Sequence, residues 1–220
     1  QVRDFSVEII NFLYTQDIKL VIVACNSSTA AGLPYYQKNF SLPIIGVIEP
    51  GVRAALKQSK NNRIGVIGTT GTIASGAYER ALKRMNPHVE VYSKACPLFV
   101  LLVENNLTHT PEAYKVAEEY LLPLKEAGID TLILGCTHYP LLSDVIQKVV
   151  GDEIKLISSA EEIARETKEI LTSKDLLNTE SLEKNCQLMH RYFVSGLTGP
   201  FNEIGEKLLQ REMKAYRVVF

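Results

Sequence analysis

Several protein classes are excluded by what this sequence has little of. Lys and Arg number 24 against 25 Asp and Glu, a formal charge of −1. No cationic surplus exists to drive counterion release, so nucleic acid is not expected as a partner. The longest apolar run, from Cys96 to Val103, is far too short to cross a bilayer and contains Pro97, so no membrane segment is expected. Only four cysteines occur, none in C-x-x-C spacing. That argues against a disulfide framework or a zinc knuckle and for a reducing compartment. No basic start followed by an apolar stretch and a small-residue cleavage site opens the chain. What is present, 46% hydrophobic residues over 220 positions, excludes disorder and suffices for one large domain or two small ones with a substantial core. A soluble cytoplasmic globular protein is expected.

The chain opens at Gln1 and runs directly into a helical pattern, with Val2, Phe5, Ile9, Phe12 and Leu13 on one face and no strand before it. Short β-branched runs then read as buried strands: Leu20–Ala24, Ile44–Ile48, Ile64–Ile67, Val89–Tyr92, Thr131–Leu134, Ile154–Ile157, Arg191–Val194 and Tyr216–Val219. Helical patterns lie between most of them. That rhythm predicts an α/β fold with a mainly parallel sheet covered by helices on both faces. Thr110 followed by Pro111 reads as a helix start, and Gly128 as the stop. Pro123 inside that pattern is expected to kink or split the helix. Ser158 with Glu161, and Ser159 with Glu162, offer overlapping capping boxes. They precede a stripe of Ala160, Ile163, Ala164, Thr167, Ile170 and Leu171. The polar stretch 172–187 reads as a solvated loop or an exposed helix end.

One segment echoes another. Leu20 to Ser27 and Thr131 to His138 each run from an apolar strand through a small residue to Cys, then to small polar residues ahead of a helix, with the cysteines 111 positions apart. Two equivalent halves would place Cys25 and Cys136 at the carboxyl ends of strands, where open α/β sheets bind ligands. A helix N-terminus contributes partial positive charge that favours a thiolate. A lone buried Cys is more simply a small core hydrophobe; two in matched settings favour chemistry. Asn26, Ser27 and Thr137 can bond a carboxylate or amino group, or serve as helix caps.

Cys96 and Cys186 lack that setting and read as structural or incidental, and His88, His109 and His190 as surface or locally bonded. Cys136-x-His138 with Cys25 falls short of the ligand set a zinc site collects, so no metal is expected. Gly65 to Thr72 follows a strand, but its G-x-x-G-x-x-G spacing is not the dinucleotide fingerprint, and no P-loop is present. A small carboxylate suits that turn better than a nucleotide. Two thiols on opposite sides of one substrate suggest deprotonation of a carbon acid on one face and reprotonation on the other, which inverts a stereocentre without a redox step.

Val23-Ala24-Cys25-Asn26-Ser27 and Gly135-Cys136-Thr137-His138-Tyr139-Pro140 closely resemble the two signature motifs of the glutamate racemase family. The resemblance extends over the whole chain, including Gly46 to Gly51, the Gly68–Thr72 turn and Cys96-Pro97-Leu98. The echo of the two Cys strands, with the return segment opened at Ser158, predicts two pseudo-symmetric lobes with the active site in the cleft between them: 1–48 with 158–220, and 49–157. The resemblance implies the same two-domain fold. It further implies cofactor-independent interconversion of L- and D-glutamate for bacterial peptidoglycan, with Cys25 acting on the D-enantiomer and Cys136 on the L-enantiomer. Asn26, Ser27, Thr72, Thr137 and His138 occupy the family's substrate-binding positions, and Glu104 matches a supporting acidic residue. Glutamate is the implied partner, and a homodimer is left open. Ser27 departs from the family's usual threonine but keeps the hydroxyl. The family's first strand, with an Asp-Ser pair and a Pro-Tyr-Gly loop, lies ahead of Gln1, so the first lobe is expected to lack one strand–helix unit and residues 1–220 alone to racemise little. The competing readings are a racemase of another small amino acid or hydantoin, and an inactive fragment or binding module on the same fold.

Overall fold

The computed structural model describes residues 1–178 and 190–219. The eight strands read from the sequence are all present, as β1 (Val21–Val23), β2 (Ile44–Gly46), β3 (Arg63–Gly68), β4 (Glu90–Ala95), β5 (Thr131–Gly135), β6 (Lys155–Ile157), β7 (Tyr192–Val194) and β8 (Ala215–Arg217). Every pairing between them is parallel. The largest sheet has the order β4-β3-β5-β6, while β1-β2 and β7-β8 are separate two-stranded pieces. β3 and β5 sit at the centre of the larger sheet, which is why Ile64, Val66, Ile67, Leu132 and Ile133 are buried and read as continuous apolar runs.

Helices cover both faces of that sheet. α6 (Leu98–Glu104), α7 (Pro111–Glu126) and α8 (Ser143–Val150) pack on one cluster with Phe99, Leu121 and Ile146. α3 (Ile48–Gln58) and α5 (Ala77–Met85) pack on the other with Val52, Tyr78 and Leu82. Outside the larger sheet, α1 (Val2–Tyr14) and α2 (Asn26–Asn39) cover β1-β2 around Ile10 and Tyr36, and Ile163 of α9 (Ala160–Ser173) packs with Ile45 and Val47. Arg53 of α3 donates to Glu166 of α9 at 2.5 Å, tying the larger sheet's helices to the remainder. Among the described residues no helix is long and apolar enough to cross a membrane.

Local signals acted as their chemistry predicts in some places and were overridden in others. Thr110 caps α7, accepting from Ala113 N–H at 3.3 Å, with Pro111 in the first turn. Gly128 closes the helix at φ +73°, a value an L side chain rarely adopts. Pro123 does not split α7, because it falls in the last turn between the buried Leu121 and Leu124, whose packing holds the helix through it. Ile48 belongs to α3 rather than to β2, since the chain turns at Val47. Neither capping box closes on both sides: Ser158 Oγ accepts from Ala160 N–H at 3.3 Å, but Ser159 has helical backbone and makes no side-chain cap bond, and Glu162 is drawn instead to Arg165 at 2.7 Å. On α1 the buried positions are Ser6 and Ile10, while Val2, Phe5 and Ile9 stay exposed. At the end of the stripe Phe12 packs edge-on against Phe193. α9 runs to Ser173 and gives way to turns; most of the remaining polar stretch, with Cys186, lies outside the described residues.

Gly135 shows how tightly the central pair is built. A Cβ placed there would lie 2.6 Å from the Ile67 carbonyl oxygen and 3.0 Å from the Tyr78 ring. Backbone cannot yield as a flexible side chain can. Gly135→Ala is expected to destabilise the protein by about 1–3 kcal/mol, read as a lower midpoint in urea denaturation with an unchanged slope.

Candidate active site

The first candidate thiol stands where β1 hands over to α2. Cys25 is exposed and has extended backbone at the N-cap of α2, with its carbonyl accepting the first helical bond from Thr29 N–H at 2.9 Å. The Thr29 hydroxyl donates back to the Val23 carbonyl at 2.9 Å, fixing the angle between strand end and helix start. Asn26 is 4% exposed, and its Oδ1 accepts a 2.6 Å bond from the Tyr78 hydroxyl. Ser27 reaches across to the turn after β3, where its hydroxyl lies 2.9 Å from Thr69 Oγ1 and 3.0 Å from Thr72 Oγ1. Those two hydroxyls are themselves 3.0 Å apart, and Thr69 caps α4 (Thr70–Ala74). The Gly-rich turn is thus committed to hydroxyl chemistry facing α2.

The second thiol follows β5. Cys136 is 8% exposed and leads into a 3-10 turn, Tyr139–Leu142, anchored by the Tyr139 hydroxyl donating to the Cys96 carbonyl at 2.8 Å. Cys96 itself is buried, and burial pushes its thiol up to about 12, which keeps it protonated at neutral pH. His138 Nδ1 lies 3.8 Å from Cys136 Sγ, and its Nε2 is 2.6 Å from Glu104 Oε1. The bond to Cys136, reinforced by Glu104 and opposed by burial, pushes the imidazole up to about 9. Thr137 is exposed beside it.

A cavity of about 190 Å³ opens where these two segments meet, lined by Ala24 and Asn26 on one side and by Leu134, Cys136 and Thr137 on the other. That is below the roughly 300–1,000 Å³ of sites for drug-sized ligands and suits a small metabolite. Ser158 and Ser159 also line it. Of the two thiols, Cys136 borders this cavity and Cys25 does not; larger space, about 580 Å³, lies beside β7 and β8 near Arg191 and Tyr216, and neither thiol borders it. The structure therefore brings Cys136, His138 and Glu104 into one chain of contacts and Ser27, Thr69 and Thr72 into another, while Asn26 is bonded separately to Tyr78. No group of three or more His, Cys, Asp or Glu side chains that could hold a metal occurs among the described residues. Thr69 and Tyr78 escaped the sequence reading. Thr69 is signalled only as a hydroxyl next to a Gly-rich turn, and Tyr78 reads as one more apolar position on α5.

The family model for Asp/Glu/hydantoin racemases matches residues 3–167. The chain belongs to this family. Among curated relatives, a glutamate racemase of Geobacter metallireducens is 50% identical over 208 residues, covering 94% of this chain and 76% of the relative. One from Bacillus cereus is 47% identical over 207 residues, with coverage of 94% and 76%. Among solved structures, the glutamate racemase isoform RacE1 of Bacillus anthracis superposes with a TM-score of 0.92 at 43% identity, over 99% of this chain and 80% of that one. A glutamate racemase from Francisella tularensis, solved with D-glutamate, gives 0.88 at 33% identity, over 100% and 80%. These superpositions show that the chain has the α/β fold of the glutamate racemases.

The His138 shift carries a pH dependence. Because the folded imidazole titrates near 9 rather than 6.5, its protonated form adds stability that is full below about pH 6.5 and fades as pH rises through about 9. Glu104→Gln is expected to lower the imidazole midpoint in an NMR titration and to flatten the loss of stability between those values.

Proposed function

We propose that this protein interconverts L- and D-glutamate in the cleft between Cys25 and Cys136, supplying D-glutamate for peptidoglycan. The observation that supports it best is the pair of strand-end thiols, one in each signature motif, with Cys136 and Asn26, the neighbour of Cys25, lining one small cavity. One cysteine, as thiolate, takes the Cα proton. The other, as thiol, gives its own proton to the opposite face, so the stereocentre inverts and the two sulfurs exchange protonation states. Cys25 acts on the D-enantiomer and Cys136 on the L-enantiomer. Asn26, Ser27, Thr72 and Thr137 bond the substrate's carboxylates and amino group. His138, kept protonated by its contacts with Cys136 and Glu104, adds positive charge beside the second thiol.

The lobes in this reading are 1–48 with 158–220, and 49–157, so the Ser27, Asn26 and Arg53 contacts all cross from one to the other. No metal or organic cofactor takes part. A cytoplasmic location belongs to the same reading, supported by free thiols at Cys25, Cys96 and Cys136. So does a homodimer, supported by the exposed Leu98 and Leu101 of α6.

Each face of the stereocentre needs its own proton carrier, and such a carrier contributes about 10²–10⁴-fold. Cys25→Ser and Cys136→Ser are each expected to lower the rate of D-glutamate formation from L-glutamate at least about a hundredfold. Cys96→Ser is expected to stay within severalfold of the unsubstituted protein. Activity close to the unsubstituted level in Cys136→Ser overturns the two-thiol assignment. Dialysis against a chelator is expected to leave the rate unchanged.

A further inference from the structure

Tyr78 is a buried polar side chain for which the mechanism has no use. It sits on α5, against the larger sheet, and is 3% exposed. Its ring borders the backbone on which Cys136 is mounted, since a Cβ on Gly135 would meet Cε2 at 3.0 Å. Its hydroxyl donates to Asn26 Oδ1 at 2.6 Å, and no other acceptor is within hydrogen-bond reach among the described residues. Burial, with Cys136 adding to it, raises the phenol well above its ordinary value, so it remains a donor throughout the range in which enzymes work.

That single bond has a consequence for the amide. A primary amide has two orientations related by a half-turn, one showing oxygen and the other showing N–H to a given direction. With Oδ1 occupied by Tyr78, Nδ2 is directed elsewhere, and no acceptor takes it among the described residues. It is not a buried unsatisfied atom, and Asn26 lines the cavity shared with Cys136.

We propose that Tyr78 is a positioning residue that locks the Asn26 amide in the orientation presenting N–H, not carbonyl oxygen, to the cavity, so that this wall selects a carboxylate. The inference rests on the racemase reading for its ligand, glutamate. Replacing the hydroxyl by hydrogen keeps the ring against Gly135 and frees the amide to turn. Carboxylate binding then loses a preset donor, while the thiols stay where they are.

The test is Tyr78→Phe, with Asn26→Ala and the double variant. Tyr78→Phe is expected to raise KM for glutamate about tenfold, equivalent to about 1.4 kcal/mol, with kcat within about threefold. Adding it to Asn26→Ala is expected to cost nothing further. In NMR spectra without ligand, the Asn26 side-chain amide is expected to give one sharp pair of resonances in the unsubstituted protein and a broadened or doubled pair in Tyr78→Phe. Unchanged KM with an unchanged amide signal, or full additivity in the double variant, overturns the proposal. So does a fall in kcat and thermal stability with KM unmoved, which marks a merely structural tyrosine. If the unsubstituted protein neither binds nor racemises glutamate, the racemase reading fails, and the amide resonances alone decide whether Tyr78 sets the amide.

Discussion

The site depends on the register of one pair of parallel strands. β3 and β5 run side by side with Gly68 opposite Gly135, so both strands stop at the same level and both following turns open at the same edge. The turn after β3 carries Thr69 and Thr72; the turn after β5 carries Cys136, Thr137 and His138. A shift of one residue would turn each side chain to the other face of the sheet and separate these groups. The absence of a side chain at Gly135 lets the strand approach Ile67 and the Tyr78 ring closely. That same approach brings the Tyr78 hydroxyl within reach of Asn26, beside the other thiol.

The polar groups at the strand-end turns are arranged mostly without charge. Ser27, Thr69 and Thr72 form a triangle of hydroxyls with separations of 2.9 to 3.0 Å. Each hydroxyl can donate once and accept twice, so the triangle can turn its protons to suit an incoming carboxylate without moving a heavy atom. The nearby ion pair is different. His138 and Glu104 are held by the ends of two separate elements, the 3-10 turn and α6, and their 2.6 Å contact orients the imidazole toward Cys136. A preset positive group next to a developing negative charge needs no reorganisation during the reaction.

Much of this was legible in the sequence because it is local or repeated. The strands announce themselves as β-branched runs, and the echo between Cys25 and Cys136 marks the two turns that matter. Thr110 and Gly128 show their roles by residue type alone. What escaped detection depends on neighbours far along the chain. Tyr78 lies 52 positions from its partner and shares a helix face with Ala81 and Leu82, so its spacing says only core. Ser159 looked like a helix cap because capping chemistry is local; the fold instead placed it on the cavity wall and gave Glu162 an arginine. The stripe on α1 was visible as periodicity, yet periodicity cannot say how much of a stripe meets protein, and Val2, Phe5 and Ile9 remain in solvent.

The two sulfurs share a chemistry but not an environment, since Cys25 is exposed and Cys136 is buried. Reagents dissolved in the surrounding water do not respect the near-symmetry of the fold. A peroxide or an alkylating agent meets Cys25 first, and oxidation of a thiol follows its accessibility as well as its thiolate character. Chemical injury is therefore one-sided. A ligand held between the two sulfurs would cover both, so the difference in access belongs to the ligand-free protein.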